Sequence, residues 1–493
     1  MFRSVTPESV GVDSKNLYKL ISRLNNLHMH SFLVARGNDI FCECYWKPFD
    51  KDFNHRMYSV TKSFMSVAIG LCVEDGLIDL DTKVIEYFPD KIEKEPDEYL
   101  KKQTIREMLT MTTSGFHHSW FEEEAYDRTS FYLNDTSKKR PSNTMWEYDS
   151  AGSQVLSSLV ERVTKKPLFD FLNERIFTKL DAFKGATILK TPNGDSWGDS
   201  ALICTSRDLL TFARFVLNYG VYNGERLINE GYLREATSRH KDNSITAHRD
   251  SLHQGYGYQI WRGPNDSFGF VGMGCQLAIC LPNKDLIFVC TGDNQGNQIA
   301  KELIVNGFFE YVVDEISDTP LPENEKSTQM LNALCDSLEL YSEQGFIDSP
   351  YREIINGVTY ECEENITGIK NFRFDFANDK EGTLTYENKN GVMELPFKIN
   401  SNYFGKFPEE GYSNENGGVR TQDGFKYDCA TSAAWTQCDK ISVFSQIIDR
   451  YFGNVTFSFY FKDNLAYLHC EKYAEDFLWQ YNGDCIAKVA KFA

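Results

Sequence analysis

The chain has 493 residues, 41% apolar and 25% charged, and its 52 basic against 71 acidic side chains leave a net charge of −19. That length exceeds one ordinary core and implies at least two domains of a soluble globular protein. The negative balance argues against nucleic acid or an anionic membrane surface as a partner. Thirteen scattered cysteines, with no C-x-x-C and no zinc spacing, read as buried free thiols in a reducing, cytoplasmic setting. No metal site is expected. Residues 1–8 lack the apolar core of a signal peptide, and no run of about eighteen apolar residues suggests a membrane span.

In chain order, the pattern predicts a short helix over Ser14–Leu27, then two apolar runs, Ser31–Ala35 and Ile40–Trp46, joined as a hairpin through Arg36-Gly37-Asn38-Asp39. A helix is expected to begin at Ser59, with Val60, Phe64, Val67 and Leu71 as one buried stripe and Gly76 as its C-cap. Helical patterns follow at Ile105–Thr110, Gln154–Val163, Leu168–Arg175 and Ser206–Asn218. A second hairpin is predicted at Gln276–Leu281 and Leu286–Thr291, and a closing helix carries Ile299, Leu303, Phe308 and Val312. Strands at both ends with helices between them imply one sheet built from the two termini of this region.

The polar, proline-bearing stretch Asp318–Glu325 marks the expected domain boundary. The division is thus a first domain over 1–317, a linker over 318–326 and, after one helix, a β-rich C-terminal domain over 327–493. In the last part Val455, Phe457, Phe459 and Phe461 alternate with polar or lesser neighbours, and Gly368–Phe376 and Gly382–Leu395 look similar. This period of two reads as half-buried antiparallel strands.

The chemistry is concentrated in Met57-Tyr58-Ser59-Val60-Thr61-Lys62-Ser63-Phe64. Residues three apart share a helix face, so the Ser59 hydroxyl and the Lys62 amine can meet. A serine hydroxyl is a weak nucleophile until a neighbouring base takes its proton, and a lysine can serve if its surroundings lower its pKa. Three further segments bear on this pair: Leu109–Phe116, Tyr148-Asp149-Ser150-Ala151-Gly152-Ser153 before a helix, and Phe270-Val271-Gly272-Met273-Gly274-Cys275-Gln276 leading into a strand.

In their order and separation these motifs resemble the serine β-lactamase and penicillin-binding-protein superfamily, specifically its class C and esterase-like branch, over roughly residues 1–315. The resemblance implies an α/β (α+β sandwich) fold, an antiparallel sheet flanked by helices. It implies that Ser59 is the acylated nucleophile, that Lys62 shares its proton and maintains a positive potential, and that Tyr148 is the general base. A phenol titrates near 10 in water, but a nearby lysine charge favours phenolate. Ser150 fills the Asn position of the Tyr-x-Asn/Ser motif and is expected to bond Lys62 or the substrate. Two amides would form the oxyanion hole. One is that of Ser59, at a helix N-terminus; the other, by family analogy, is that of Met273, beside glycines (Gly272, Gly274) that let the backbone approach a ligand.

The third motif departs from the family's Lys/His-Thr/Ser-Gly. Phe270-Val271-Gly272 carries neither the cation nor the hydroxyl that would engage a substrate carboxylate. That favours an apolar or uncharged substrate, with Phe270 among the residues contacting it. Nylon-oligomer hydrolases and carboxylesterases of the superfamily tolerate the same loss. Trp120 and Phe121 either line the acyl pocket or pack within their own loop, and Glu122–Glu124 forms either a solvated loop or a selector for a cationic substrate end. The sequence therefore implies a serine hydrolase of an ester or amide, without cofactor, acting on a small molecule, with homo-oligomer formation left open. The alternatives are a D-amino-acid peptidase or weak β-lactamase, and a penicillin-sensing or ligand-binding protein without turnover.

Overall fold

The computed structural model describes residues 2–115, 126–137, 139–244, 251–412, 424–474 and 481–490. Two compact units divide the described chain between Glu339 and Leu340.

The elements that position the site in the first unit are α1 (Ser14–Leu24), β1 (Met29–Arg36), β2 (Asp39–Tyr45), α2 (Thr61–Glu74), α3 (Ser150–Thr164), α4 (Ser206–Leu217), β3 (Phe268–Gly272), β4 (Gln276–Leu281), β5 (Leu286–Gly292), α5 (Ala300–Phe308) and α6 (Glu325–Ser337). Both predicted hairpins form, and β5 pairs antiparallel with β1, so the two ends of this unit meet in one seven-stranded sheet. Its order is Arg3–Ser4, β2, β1, β5, β4, β3, Trp261–Arg262.

Strand alternation divides the core in two. Leu33, Ala35, Phe270, Ala278, Ile287 and Val289 face a cluster containing α2, α3 and α4; Phe32, Val34, Ile279 and Phe288 face one containing α1, α5 and α6. Because helices cover both faces, β1 and β5 are apolar almost continuously rather than alternately. For the same reason α2 is enclosed all round: Met65, Ala68, Ile69 and Cys72 are buried along with the predicted stripe. It is held by packing, not by an amphipathic face.

Helix α6 belongs to the first unit, not to a domain starting at 327. Its Leu331 joins the α1 core, its Thr328 hydroxyl lies 3.2 Å from that of Ser14, and a disulfide ties Cys335 to Cys44 of β2, Cα atoms 5.2 Å apart. The expectation of free thiols throughout is corrected at this pair; eleven other cysteines are unbridged, most of them buried. Local spacing carries no signal for a bridge between residues 291 apart in sequence.

The second unit is a β-barrel. Its strands are β6 (Thr359–Cys362), β7 (Asn371–Phe376), β8 (Glu381–Asn388), β9 (Gly391–Ile399), β10 (Tyr403–Lys406), β11 (Asp428–Gln437), β12 (Lys440–Ile447), β13 (Gly453–Lys462), β14 (Leu465–Ala474) and β15 (Gly483–Val489). They form a ten-stranded sheet ordered β9-β8-β7-β6-β15-β14-β13-β12-β11-β10, closed by a parallel pairing of β9 with β11. That pairing joins Lys398–Ile399 to Ser432–Ala433 and brings the two ends of the sheet together. Phe457, Phe459 and Phe461 point inward as their alternation predicts, and the ring of Phe374 meets that of Phe459 edge-on at 4.8 Å.

Candidate active site

The segment carrying Ser59 is pinned before α2 begins. His55–Arg56 pairs with Leu202–Cys204, and the Met57 amide donates to the Leu202 carbonyl at 2.8 Å. Tyr58 has φ 47°, a left-handed conformation unusual for a bulky residue, and opens a 3-10 turn over Tyr58–Val60. The Thr61 hydroxyl closes that turn by donating to the Tyr58 carbonyl at 2.6 Å and accepting from the Leu202 amide at 3.0 Å. Ser59 thus sits half-buried in the 3-10 turn just ahead of α2, not within its first α-helical turn.

Lys62 is 1% exposed. Its Nζ donates to Ser59 Oγ at 3.0 Å and to the Asp199 carbonyl at 2.9 Å, and lies 3.5 Å from Asp199 Oδ2. The same ammonium is 5.1 Å from the centroid of the Tyr148 ring, a cation–π distance. Ser59, Lys62 and Tyr148, separated by up to 89 positions in sequence, therefore converge on one nitrogen.

Tyr148 is held by its neighbours on both sides. Asp149 caps α3, accepting from the Gly152 amide at 2.8 Å and from the Thr113 hydroxyl at 2.9 Å, which binds the Thr112-Thr113-Ser114-Gly115 segment to the start of the helix. Glu147 donates its amide to the carbonyl of left-handed Met111 at 2.9 Å. The Tyr148 ring stacks on Trp261 at 5.7 Å, and Trp261 packs against Trp146 at 5.6 Å. Gln259 joins three of these segments: its carbonyl accepts from Ser63, its Oε1 accepts from Ser153, and its Nε2 donates to the Met108 carbonyl at 3.0 Å. Ser150 is the first residue of α3, directly after its Asp149 cap.

The third motif runs beside the Ser59 turn. A Cβ at residue 272 would lie 2.4 Å from the Met57 carbonyl oxygen and 3.3 Å from the Ser59 amide nitrogen. Gly272 is therefore required by the close approach of the strand to the Met57–Ser59 backbone. Met273 is exposed in the turn that follows, and Gly274, at φ 77°, completes it.

Phe270 is corrected. It is fully buried, 5.6 Å from Phe212 of α4 between ring centroids, and Phe212 in turn stacks on Phe64 of α2 at 3.6 Å. Alternation turns residue 270 toward the α2–α4 layer, where its ring fills core and is not exposed for substrate contact. Trp120, Phe121 and Glu122–Glu124 lie outside the described residues.

Several residues of the site carried no sequence signal. Asp199 is one; Arg56, Arg128 and Trp197 are others. The two guanidinium groups each lie 4.6 Å from the Trp197 ring, and Arg56 also lies 4.4 Å from the ring of Tyr58. Burial raises the Asp199 carboxyl above the ordinary carboxylate range, while the charges of Lys62, Arg128 and Arg56 oppose that shift. They come together only through the folding of the 196–201 loop, whose spacing relative to Ser59 follows no short motif. Among the described residues no group of three His, Cys, Asp or Glu side chains is arranged to hold a metal ion. No helix among them is long and apolar enough to cross a membrane.

The model of the Beta-lactamase family matches residues 23–302, more than half of the chain, and the chain belongs to that family. It is 26% identical over 276 residues to the 6-aminohexanoate-dimer hydrolase of Paenarthrobacter ureafaciens, covering 52% of this chain and 69% of that protein. Among solved structures it is similar to a penicillin-binding protein homologue from Caulobacter crescentus, with a TM-score of 0.50 at 15% identity over 62% of this chain and 99% of that one. It is also similar to SurE, with a TM-score of 0.50 at 14% identity over 97% and 98%. The fold is that of the β-lactamases and transpeptidases, with a C-terminal β-barrel.

Proposed function

We propose that this chain is a serine hydrolase that cleaves an ester or amide through an acyl-enzyme on Ser59. The observation that carries this reading is the Lys62 ammonium, which lies 3.0 Å from Ser59 Oγ and beneath the Tyr148 ring. Ser59 Oγ attacks the substrate's acyl carbon, and its proton passes to the Tyr148–Lys62 pair. Tyr148 then protonates the departing alcohol or amine, and water releases the acyl group by the same route in reverse. The amides of Ser59 and Met273 bind the oxyanion, a role supported by the closeness of residue 272 to the Ser59 nitrogen.

The relative named 6-aminohexanoate-dimer hydrolase supports hydrolysis. The third motif contributes no cation, and the half-buried Trp261 and Tyr148 rings supply an aromatic wall, so the substrate class is an uncharged or apolar acyl compound. A fluorophosphonate probe should label the wild-type protein at Ser59 and leave Ser59→Ala unlabelled. A chromogenic short-chain ester should turn over faster than a chromogenic cephalosporin, whose carboxylate finds no partner in the third motif. Labelling that persists in Ser59→Ala would place the nucleophile elsewhere, and preferred turnover of the cephalosporin would refute the substrate class.

A further inference from the structure

We infer that Asp199 is a positioning residue for Lys62, holding the ammonium against Ser59 and keeping it charged during acylation. This rests on the acyl-enzyme reading above and extends it to a residue that acts through Lys62.

The geometry is specific. Asp199 engages Lys62 twice, through its carbonyl oxygen at 2.9 Å and its carboxylate Oδ2 at 3.5 Å. Both side chains are almost wholly enclosed, Lys62 at 2% and Asp199 at 3% exposure. The other carboxylate oxygen, Oδ1, is buried with no hydrogen-bond partner among the described residues. A buried carboxylate with one unbonded oxygen is costly, so its retention beside Lys62 calls for a compensating interaction.

Charge supplies it. The groups facing Asp199 are Lys62 from α2, Arg56 from the strand ahead of Ser59, and Arg128. Those facing Lys62 are Ser59, Asp199 and the Tyr148 ring. Asp199 is a buried carboxylate beside these cations, and loss of its charge would favour a neutral lysine.

The loop that carries Asp199 is built to hold it still. The Trp197 amide donates to the Leu189 carbonyl at 2.7 Å, Gln154 of α3 donates to the Ser196 carbonyl at 2.9 Å, and Arg56 Nε donates to the Ser200 carbonyl at 3.2 Å. Gly198 packs so closely on α3 that a Cβ there would lie 2.1 Å from the Ser157 hydroxyl oxygen. The loop therefore places the Asp199 carbonyl and carboxylate on Lys62 with little freedom.

The test is the pH dependence of fluorophosphonate labelling in full-length Asp199→Asn. The variant keeps the shape and the carbonyl contact but loses the charge. With the anion gone, Lys62 should lose its proton at lower pH, and the alkaline limb of the labelling rate should move down by about one to three pH units, the range for an opposite charge at this distance. A loss of packing alone would lower the rate across the profile without moving the limb. Asp199→Glu, which restores the charge, should bring the limb back toward the wild-type position even if labelling stays slow.

A folded Asp199→Asn whose alkaline limb coincides with wild type would overturn the inference. If Asp199→Asn does not fold, Asp199→Glu decides: a limb that shifts although the charge is kept would also overturn it. Ser59→Ala separates the two readings. Labelling that survives in Ser59→Ala defeats the acyl-enzyme proposal, whereas labelling lost in Ser59→Ala with an unmoved limb in Asp199→Asn defeats only the role given to Asp199.

Discussion

Replacing Gly272 with alanine tests whether the third motif and the Ser59 turn work as one unit. The added methyl would lie 2.4 Å from the Met57 carbonyl oxygen, 3.1 Å from Gln276 Cβ and 3.3 Å from the Ser59 amide nitrogen. An ordinary contact needs about 3.5 Å, so β3 and the turn must part by about 1 Å. The Met57 oxygen is a backbone atom on a segment tied to Leu202, so it cannot simply swing aside. Overpacking of this kind costs about 1–3 kcal/mol of stability. The larger effect falls on the chemistry. If the Ser59 and Met273 amides act together, a separation of about 1 Å should slow acylation about 100-fold, or about 2.7 kcal/mol of transition-state stabilisation. The assay is the second-order rate of fluorophosphonate labelling, measured beside a denaturant melt to confirm folding. A folded Gly272→Ala protein that labels at the wild-type rate would refute the oxyanion-hole assignment, because the steric conflict would then have been absorbed without moving either donor.

Three further outcomes are expected. Lys62→Ala and Tyr148→Phe should each lower ester turnover by about 10²–10⁴, the range for lost general-base function, and the double variant should be little worse than either single one; near-wild-type turnover in Tyr148→Phe would leave Lys62 as the sole base. Phe270→Ala should cost about 3–5 kcal/mol in a denaturant melt, because the ring is core packing against Phe212, and should leave the preference between neutral and carboxylate-bearing substrates unchanged; a shifted preference with little loss of stability would return Phe270 to the cleft. His28, His30 and His55 are kept neutral by burial, with pKa values lowered to about 4 for His28 and about 3 for His55, and with His30 Nδ1 2.8 Å from His55 Nε2. Below pH 6.5 the unfolded chain takes up protons that the folded one does not, so stability is full above that pH and falls down to about pH 3–4, by at most about 1.4 kcal/mol per pH unit for each histidine. Urea midpoints that stay equal at pH 7 and pH 5 would contradict this.

Much of the local structure follows from the sequence alone. The two hairpins of the first unit, the helices near Ser14, Ser59, Ser150 and Ser206, and the alternating strand at Val455–Phe461 are set by short-range periodicity, which acts over the same few residues that form each element. The residues proposed for the site lie in short-range patterns of the same kind. Ser59 and Lys62 are one turn apart, and Tyr148 and Gly272 sit in short motifs with fixed neighbours. Long-range contacts are what that reading could not reach. Nothing near residue 270 says that its ring turns into the core, because the face a strand residue takes is set by which helices cover the sheet. Nothing near residue 325 says that α6 returns to α1, since its Leu331 and Cys335 acquire partners hundreds of positions away only on folding. Closure of the barrel depends on a parallel pairing of β9 with β11, a register that alternation within either strand does not encode. Asp199 is the sharpest case: a carboxylate at an unremarkable loop position becomes a neighbour of Lys62 only because the tertiary fold removes both from water and brings them within 3.5 Å.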